Sequence, residues 1–347
     1  MATIVDVARL AQVSASTVSH VINGTKNVRA ETRDRVVRAI EESNFTPDRV
    51  AKSLRSGRTN SIGLVVSDTS QYVFGRMIAE VEDGIRKAGM TLLLANSGED
   101  PEQESRMVHA FLDHRVDGII IAPVADWSPS TFAAIDAAGC PRVLIDRMTD
   151  PSSDQAGTDN RSGMRALTNH LISIGHTDIT LVGGDLDVWT IRERTAGFHD
   201  ALVAAGIPAH SRTVLETPRG LRDGAYEIER FLNTGRRPTA VIAASGLLTL
   251  GVLRACRRRG ISIPGDLALA SFDGLMNAEF FEPTLTAALH PVEFIGHEAT
   301  ALLLRRMSDP SAPPRTVQAQ ATLVHGTSCG CPPGSALVTA RRSPLAT

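Results

Sequence analysis

The sequence predicts an all-α head of three short helices containing a helix-turn-helix, then a hinge helix, then an α/β core of two doubly wound parallel-sheet subdomains. Three observations carry this. Apolar residues recur at helical spacing through residues 3–44, with a break between the first two segments. From Ser61 onward short apolar runs alternate with amphipathic stretches, the pattern of parallel strands with helices on both faces. The alternation runs to residue 326, too far for one sheet and one core, so two subdomains are expected.

In the head, Val5, Val7, Ala8 and Ala11 form the apolar stripe of a first helix. Val13-Ser14 breaks it, and Ser14 caps a second helix that buries Val18, Val21 and Ile22. Asn23-Gly24 ends that helix, and a third carries Val36, Val37, Ile40 and Phe45 to the same core before Pro47 stops it. Two helices across a tight turn, the second opening at a polar cap, make the helix-turn-helix pattern. The expected divisions are a head over 1–46, a hinge and linker over 47–60, and a core over 61–326. Within the core, 61–158 is expected to join 287–314, and 159–286 to join 315–326. Residues 327–347, rich in Pro, Ser, Gly and Ala, read as a disordered tail.

Strands are expected at Ile62–Val66, Thr91–Ala95, Gly118–Ala122, Arg142–Asp146, Ile179–Val182, Ala240–Ala244 and Leu267–Asp273. Helices are expected near Arg76–Ala88, Pro101–His114, Arg161–Ile174, Arg192–Ala205, Arg222–Leu232, Leu248–Arg259 and Val292–Met307.

Composition narrows the function. With 42% hydrophobic and 21% charged residues over 347 positions, a large core is affordable and wholesale disorder is excluded. No stretch of about 18 uncharged apolar residues exists, so no membrane partner is expected. The first residues lack the basic-then-apolar order of a secretory signal, and four cysteines, Cys140 and Cys256 lone and Cys329 and Cys331 close together in the tail, make no disulfide framework, so a reduced cytoplasmic setting is expected. Charge is uneven: residues 1–58 hold ten Lys and Arg against six Asp and Glu, and the remainder 26 against 32. A basic head on an acidic body fits nucleic-acid contact confined to the head.

The run Thr3-Ile4-Val5-Asp6-Val7-Ala8, with Ala11, Val13-Ser14, Thr17-Val18-Ser19, Val21-Ile22-Asn23 and Thr32-Arg33, resembles the head of the lactose-repressor (LacI/GalR) family. Matching segments continue through Val116-Asp117-Gly118, Gly175-His176, Arg194-Thr195-Ala196-Gly197-Phe198, Gly260-Ile261-Ser262-Ile263-Pro264, Phe272-Asp273 and Pro283-Thr284-Leu285-Thr286. The resemblance covers residues 3 to about 326. It implies a sequence-specific transcription regulator, expected to repress, with a core similar to periplasmic sugar-binding proteins. Double-stranded DNA with a near-palindromic operator, a second copy of the chain and a small effector are the implied partners. No cofactor, metal or catalytic residue is expected.

A recognition helix reads base edges from its N-terminal side chains, here Ala15, Ser16 and His20. Thr17 and Ser19, with Thr3, Asn23, Lys26 and Arg33, suit phosphate contacts that position without specifying. The resemblance also implies that hinge helices pair in the minor groove and wedge a leucine into a base step. Leu54 takes that place, with Ala51 on the same face. Asp48, where the family often has Asn, and Ala30, where a Ser cap is usual, are departures.

In doubly wound sheets ligands sit beyond the carboxyl ends of the strands. That rule nominates Tyr72, Phe74, Asp146, Arg147 and Asp159 in one subdomain, and Arg194, Arg219, Ser245 and Asp273 in the other. By resemblance Arg194 and Asp273 bind effector hydroxyl or carboxyl groups. A sugar, sugar acid or sugar phosphate is expected. Arg147, Arg194 and Arg219 together favour an acidic one. Two other classes fit the sequence less well. An α/β enzyme lacks any dinucleotide, phosphate-loop, nucleophile-elbow or paired-histidine motif. A solute-binding transport protein would leave the head without a purpose.

Overall fold

The computed structural model describes residues 2–23, 26–45, 58–217, 225–276 and 278–331. The chain divides into two compact units, Met1–Thr59 and Asn60–Thr347.

The first unit holds α1 (Ile4–Leu10), α2 (Ala15–Asn23) and α3 (Ala30–Ser43). Thr3 and Asp6 close a capping box on α1, the Asp6 carboxylate accepting from the Thr3 backbone N–H at 2.9 Å. Gln12 turns the chain at φ 52°, and Ser14 Oγ accepts from the Thr17 N–H at 3.2 Å to cap α2. Helix α3 starts at Arg29–Ala30 without a side-chain cap, a deficit of about 1 kcal/mol. It ends on left-handed Asn44, whose successor Phe45 donates back to the Ile40 carbonyl at 3.2 Å and packs on the core. That core is Val7, Ala8, Ala11, Val18, Val36 and Ala39. Val5 and Val37, expected in it, are 64% and 43% exposed. Each lies one residue, about 100° of helix rotation, from a neighbour that does pack, Ile4 and Val36.

The second unit contains two six-stranded sheets. Its strands are β1 (Ser61–Val66), β2 (Thr91–Asn96), β3 (Gly118–Ile121), β4 (Arg142–Ile145), β5 (Asp154–Asp159), β6 (Ile179–Gly184), β7 (Arg212–Glu216), β8 (Ala240–Ala243), β9 (Ala268–Phe272), β10 (Thr286–Leu289), β11 (Thr316–Gln320) and β12 (Thr322–Val324). The first sheet runs β11-β5-β4-β3-β1-β2, all parallel. The second runs β12-β10-β9-β8-β6-β7, parallel except for β12 against β10. The helices are α4 (Tyr72–Lys87), α5 (Pro101–Asp113), α6 (Pro129–Ala137), α7 (Asn160–Ser173), α8 (Trp189–Ala204), α9 (Ala225–Asn233), α10 (Gly246–Arg259) and α11 (Val292–Ser308). Central strands β1, β3, β6 and β8 are buried on both faces, which is why they read as unbroken apolar runs.

The chain crosses between sheets three times, and two crossings fall later than expected. β10 belongs to the second sheet, so the second crossing comes after Leu289, not at 287. β11 belongs to the first sheet, so the third comes at Ala321, not at 315. Residues 316–324 read as one alternating stretch, and only their hydrogen-bond partners divide them. β5, reading Asp-Gln-Ala-Gly-Thr-Asp, has no apolar signal. Its fully buried Asp154 is met by Arg305 Nη2 at 2.7 Å, Arg306 Nε at 2.8 Å and the Arg315 N–H at 2.8 Å. Residues 327–331, expected to open a disordered tail, are ordered. Ser328 exchanges backbone and hydroxyl bonds with Leu269 at 2.8 and 2.6 Å, and Cys329 and Cys331 are buried in the second core. Among the described residues no helix is long and apolar enough to cross a membrane.

Candidate functional site

In the head, fully buried Val18 fixes the rotation of α2. That leaves Ser16 exposed and Thr17, Ser19 and His20 partly exposed. Ser14 Oγ lies 2.8 Å from Ser16 Oγ and 2.9 Å from Thr17 Oγ1, so the start of the helix is a cluster of hydroxyls at its positive end. Ala15 packs partly against the head core, which limits what its methyl can touch outside. Lys26 and Arg33 are exposed, Thr3 is occupied by its capping box, and Asn23 is the last residue of α2. Ala51 and Leu54 lie outside the described residues, as does Arg219.

In the core, the carboxyl ends of both sheets open on one cavity of about 520 Å³. Phe74, Asp146, Arg147, Arg194, Ser245 and Asp273 line it, six of the nine residues nominated from sequence. Tyr72 does not; it is 41% exposed beside Arg76, over whose guanidinium carbon its ring sits at 6.0 Å. Nor does Asp159, whose carboxylate caps α7 by accepting from the Ser162 N–H at 3.0 Å. Ser245 lines the cavity while its Oγ caps α10, accepting from the Leu248 N–H at 3.3 Å.

Three cavity acids sit on left-handed backbone: Glu99 at φ 63°, Asp146 at 67° and Asp273 at 78°. Such residues cost of order 1 kcal/mol each and persist where the surroundings impose them. At Asp146 the bond from the Arg147 N–H to the Ile145 carbonyl, 2.7 Å, closes a three-residue turn directly after β4. The turn throws the carboxylate off the strand end toward the cleft. Asp146 is buried and accepts no hydrogen bond from the described residues, and burial pushes its pKa up.

Arg147 forms a two-bonded pair with Glu99 at 2.9 and 2.6 Å and donates to the Pro123 carbonyl at 2.9 Å. Its Nε has no acceptor among the described residues. Arg194, 3% exposed, is held on every side. Nε donates to Asn160 Oδ1 at 2.8 Å and Nη1 to the Ala244 carbonyl at 2.5 Å, and the fork faces both oxygens of Asp273 at 3.2 Å. Its guanidinium carbon lies 4.0 Å from the Phe272 ring centroid. His290 Nε2 is 2.7 Å from Asp273 and 2.8 Å from Arg194, so it can donate to one or accept from the other but not both. Thr158 Oγ1, 2.5 Å from Nδ1, helps decide which. Burial alone would raise the Asp273 pKa, but Arg194 and His290 outweigh it and hold the carboxyl below the usual range. Gly197 makes this geometry possible: a Cβ there would overlap the Arg161 carbonyl oxygen, so only glycine lets α8 bring Arg194 to Asn160.

Glu99, Asn160 and His290, and the lining acids Asp126 and Asp185, are among the site residues the sequence reading missed. Glu99 follows β2 and was open to the strand-end rule. His290 follows β10, a strand too short and Ala-rich to signal itself.

Comparison with known proteins places these features. A family model described as bacterial regulatory proteins, lacI family, matches residues 3–48, and one described as a periplasmic binding protein-like domain matches 168–329. The HTH-type transcriptional repressor PurR of Vibrio parahaemolyticus is 32% identical over 326 residues, 93% of this chain and 97% of the relative. The ribose operon repressor of Haemophilus influenzae is 33% identical over 327 residues, again 93% and 97%. Among solved structures, the lac repressor dimer bound to operator and the anti-inducer ONPF superposes with a TM-score of 0.83 at 26% identity, covering 94% of this chain and 99% of that one. The regulator CelR in complex with cellobiose gives 0.69 at 29% identity, covering 94% and 100%. With such relatives along nearly its whole length, this chain belongs to the LacI family of transcriptional regulators, a DNA-binding head followed by an effector-binding core.

Proposed function

We propose that the chain is a cytoplasmic, homodimeric repressor without catalytic activity, whose cleft takes a neutral polyhydroxy effector of sugar size. The observation that carries the effector class is the charge of the cavity. Among its described lining residues, Glu99, Asp126, Asp146, Asp185 and Asp273 stand against Arg147 and Arg194. Both arginines already face carboxylates, Glu99 and Asp273. An acidic ligand would have to displace those partners and would meet the remaining carboxylates as like charges. A neutral sugar instead supplies hydroxyl donors to Asp146 and Asp273, which approach from the two sheets. This moves the reading from an acidic effector to an uncharged one. Structural neighbours solved with cellobiose and with ribose agree in kind.

The test is calorimetry with matched aldose and aldonic-acid pairs, chosen from a thermal-shift screen in which ligand stabilises by mass action. The neutral member of a pair is expected to bind at least tenfold tighter, and Asp146→Asn to weaken it. Tighter binding of the acid by the wild type would reject the assignment.

On DNA, the head suits major-groove reading by Ser16 and His20, with Thr17, Ser19, Lys26 and Arg33 on phosphates. One head offers few contacts, so two heads on a near-palindromic site are required for tight binding. Gel-shift competition with one and with two half-sites tests this.

A further inference from the structure

Far from the cleft, four soft side chains meet where the last described residues fold back on α7. We propose that His170, His325, Cys329 and Cys331 form a tetrahedral site for a thiophilic divalent cation, zinc first among them. The ligand atoms of His170, His325 and Cys331 all lie within 4.8 Å of one another. His170 Nε2 is 3.4 Å from both Cys329 Sγ and Cys331 Sγ, and the two sulfurs are 3.0 Å apart. Zinc–sulfur bonds of about 2.3 Å and zinc–nitrogen bonds of about 2.0 Å imply ligand-to-ligand edges of about 3.3–3.8 Å. The His170–sulfur distances already match. The sulfurs need to part by less than an ångström on that estimate. The His325 ring stands edge-on to His170 at 4.4 Å between centroids.

The surroundings hold the ligands as a metal site requires. Gly330, at φ 84°, makes the one-residue turn that sets both cysteines on the same side. Its N–H donates to the Thr327 carbonyl at 3.1 Å. Thr286 Oγ1 donates to Cys329 Sγ at 3.1 Å, and His176 Nε2 lies 3.3 Å from the Cys329 carbonyl oxygen. Such outer contacts orient ligands and tune their basicity. Both cysteines are buried, and two thiolates with two neutral imidazoles balance a divalent charge, so the filled site leaves no net charge in the core. The bond set would tie the final segment to α7, whose other end carries Asn160, the partner of Arg194.

The experiment uses the full chain, reduced, stripped with chelator and kept free of oxygen. Titration with Co²⁺ is expected to give one equivalent of tetrahedral visible absorption with a sulfur-to-cobalt charge-transfer band, displaced by one equivalent of Zn²⁺. Competition against a chromophoric chelator is expected to show Cys331→Ser and His325→Ala each losing at least tenfold in zinc affinity, with Cys140→Ser unchanged. No tetrahedral cobalt spectrum in the wild type, or undiminished affinity in Cys331→Ser, would overturn the site. So would a wild-type chain in which Cys329 and Cys331 remain joined as a disulfide under these reducing conditions.

Discussion

Arg194→Met tests whether the cleft is a coupled charge network. The substitution keeps volume and removes five contacts: Asn160, the Ala244 carbonyl, the paired bonds to Asp273, His290 and the stack on Phe272. Asp273, buried and held ionised by Arg194, is then left with His290 alone. Breaking a buried pair from one side costs about 3–5 kcal/mol, because the remaining charge is stranded. Asp273→Asn should cost a similar amount by stranding Arg194. The double variant strands neither charge, so the two losses should fall short of adding by about 2 kcal/mol or more. Denaturant unfolding read by tryptophan fluorescence is the assay, since Trp127 and Trp189 both line a smaller cavity that Arg147 also borders. Losses below about 1 kcal/mol in both single variants, or strict additivity, would show that solvent reaches these groups and that the network is not buried in solution.

Three further outcomes are expected. His20→Ala should weaken binding to the cognate site by about 1–3 kcal/mol and relax one base position per half-site; equal loss on random DNA would place His20 off the bases. Leu54→Ala should reduce DNA bending, measured by circular permutation gel shift, while effector affinity holds; an unchanged bend would remove the wedge. Glu104, raised to about 7 by burial despite the Val124 N–H at 2.8 Å, binds a proton in the folded state that the unfolded chain has lost above its ordinary value of 4.5. Folding stability therefore falls as pH climbs from about 4.5 to 7 and levels off above. At about 1.4 kcal/mol per unit, Glu104→Gln should gain up to about 3 kcal/mol on the wild type between about pH 5 and pH 8, and a pH-independent difference would contradict the burial.

Legibility followed burial. Ile62–Val66 and Ala240–Ala244 were readable because a strand covered on both faces must be apolar throughout, and these runs matched β1 and β8 to within one residue. β5, β7, β10, β11 and β12 were not, since they are short, polar or on edges, where the backbone ladder, not the side chains, holds the strand. That loss propagated into the crossings. Without β10 in view, His290 had no reason to be near Asp273, and without the split between β11 and β12 the boundary at 315 looked natural.

The cleft shows the same division between rule and contact. The strand-end rule found Asp146, Arg147, Arg194, Ser245 and Asp273 because topology alone puts such positions together. It could not say that Glu99 and Asp273 would occupy the two arginines, and on that pairing rests the proposal of an uncharged rather than an acidic effector. Cation counts along a sequence report what a site contains; the ligand responds to what remains unpaired. Here the open group is the Asp146 carboxylate, held on left-handed backbone where His290, Arg147 and Arg194 act on it by charge but no described residue donates a hydrogen bond to it, and an acceptor so placed calls for a hydroxyl donor. A ligand that supplies one relieves a buried desolvated charge, so removing that charge in Asp146→Asn should lower effector affinity and raise the stability of the empty core together. Thermal melts of wild type and Asp146→Asn, with and without the best neutral ligand, read both effects. A variant that binds weakly yet is no more stable when empty would show that Asp146 is satisfied by water and is not the source of the binding energy.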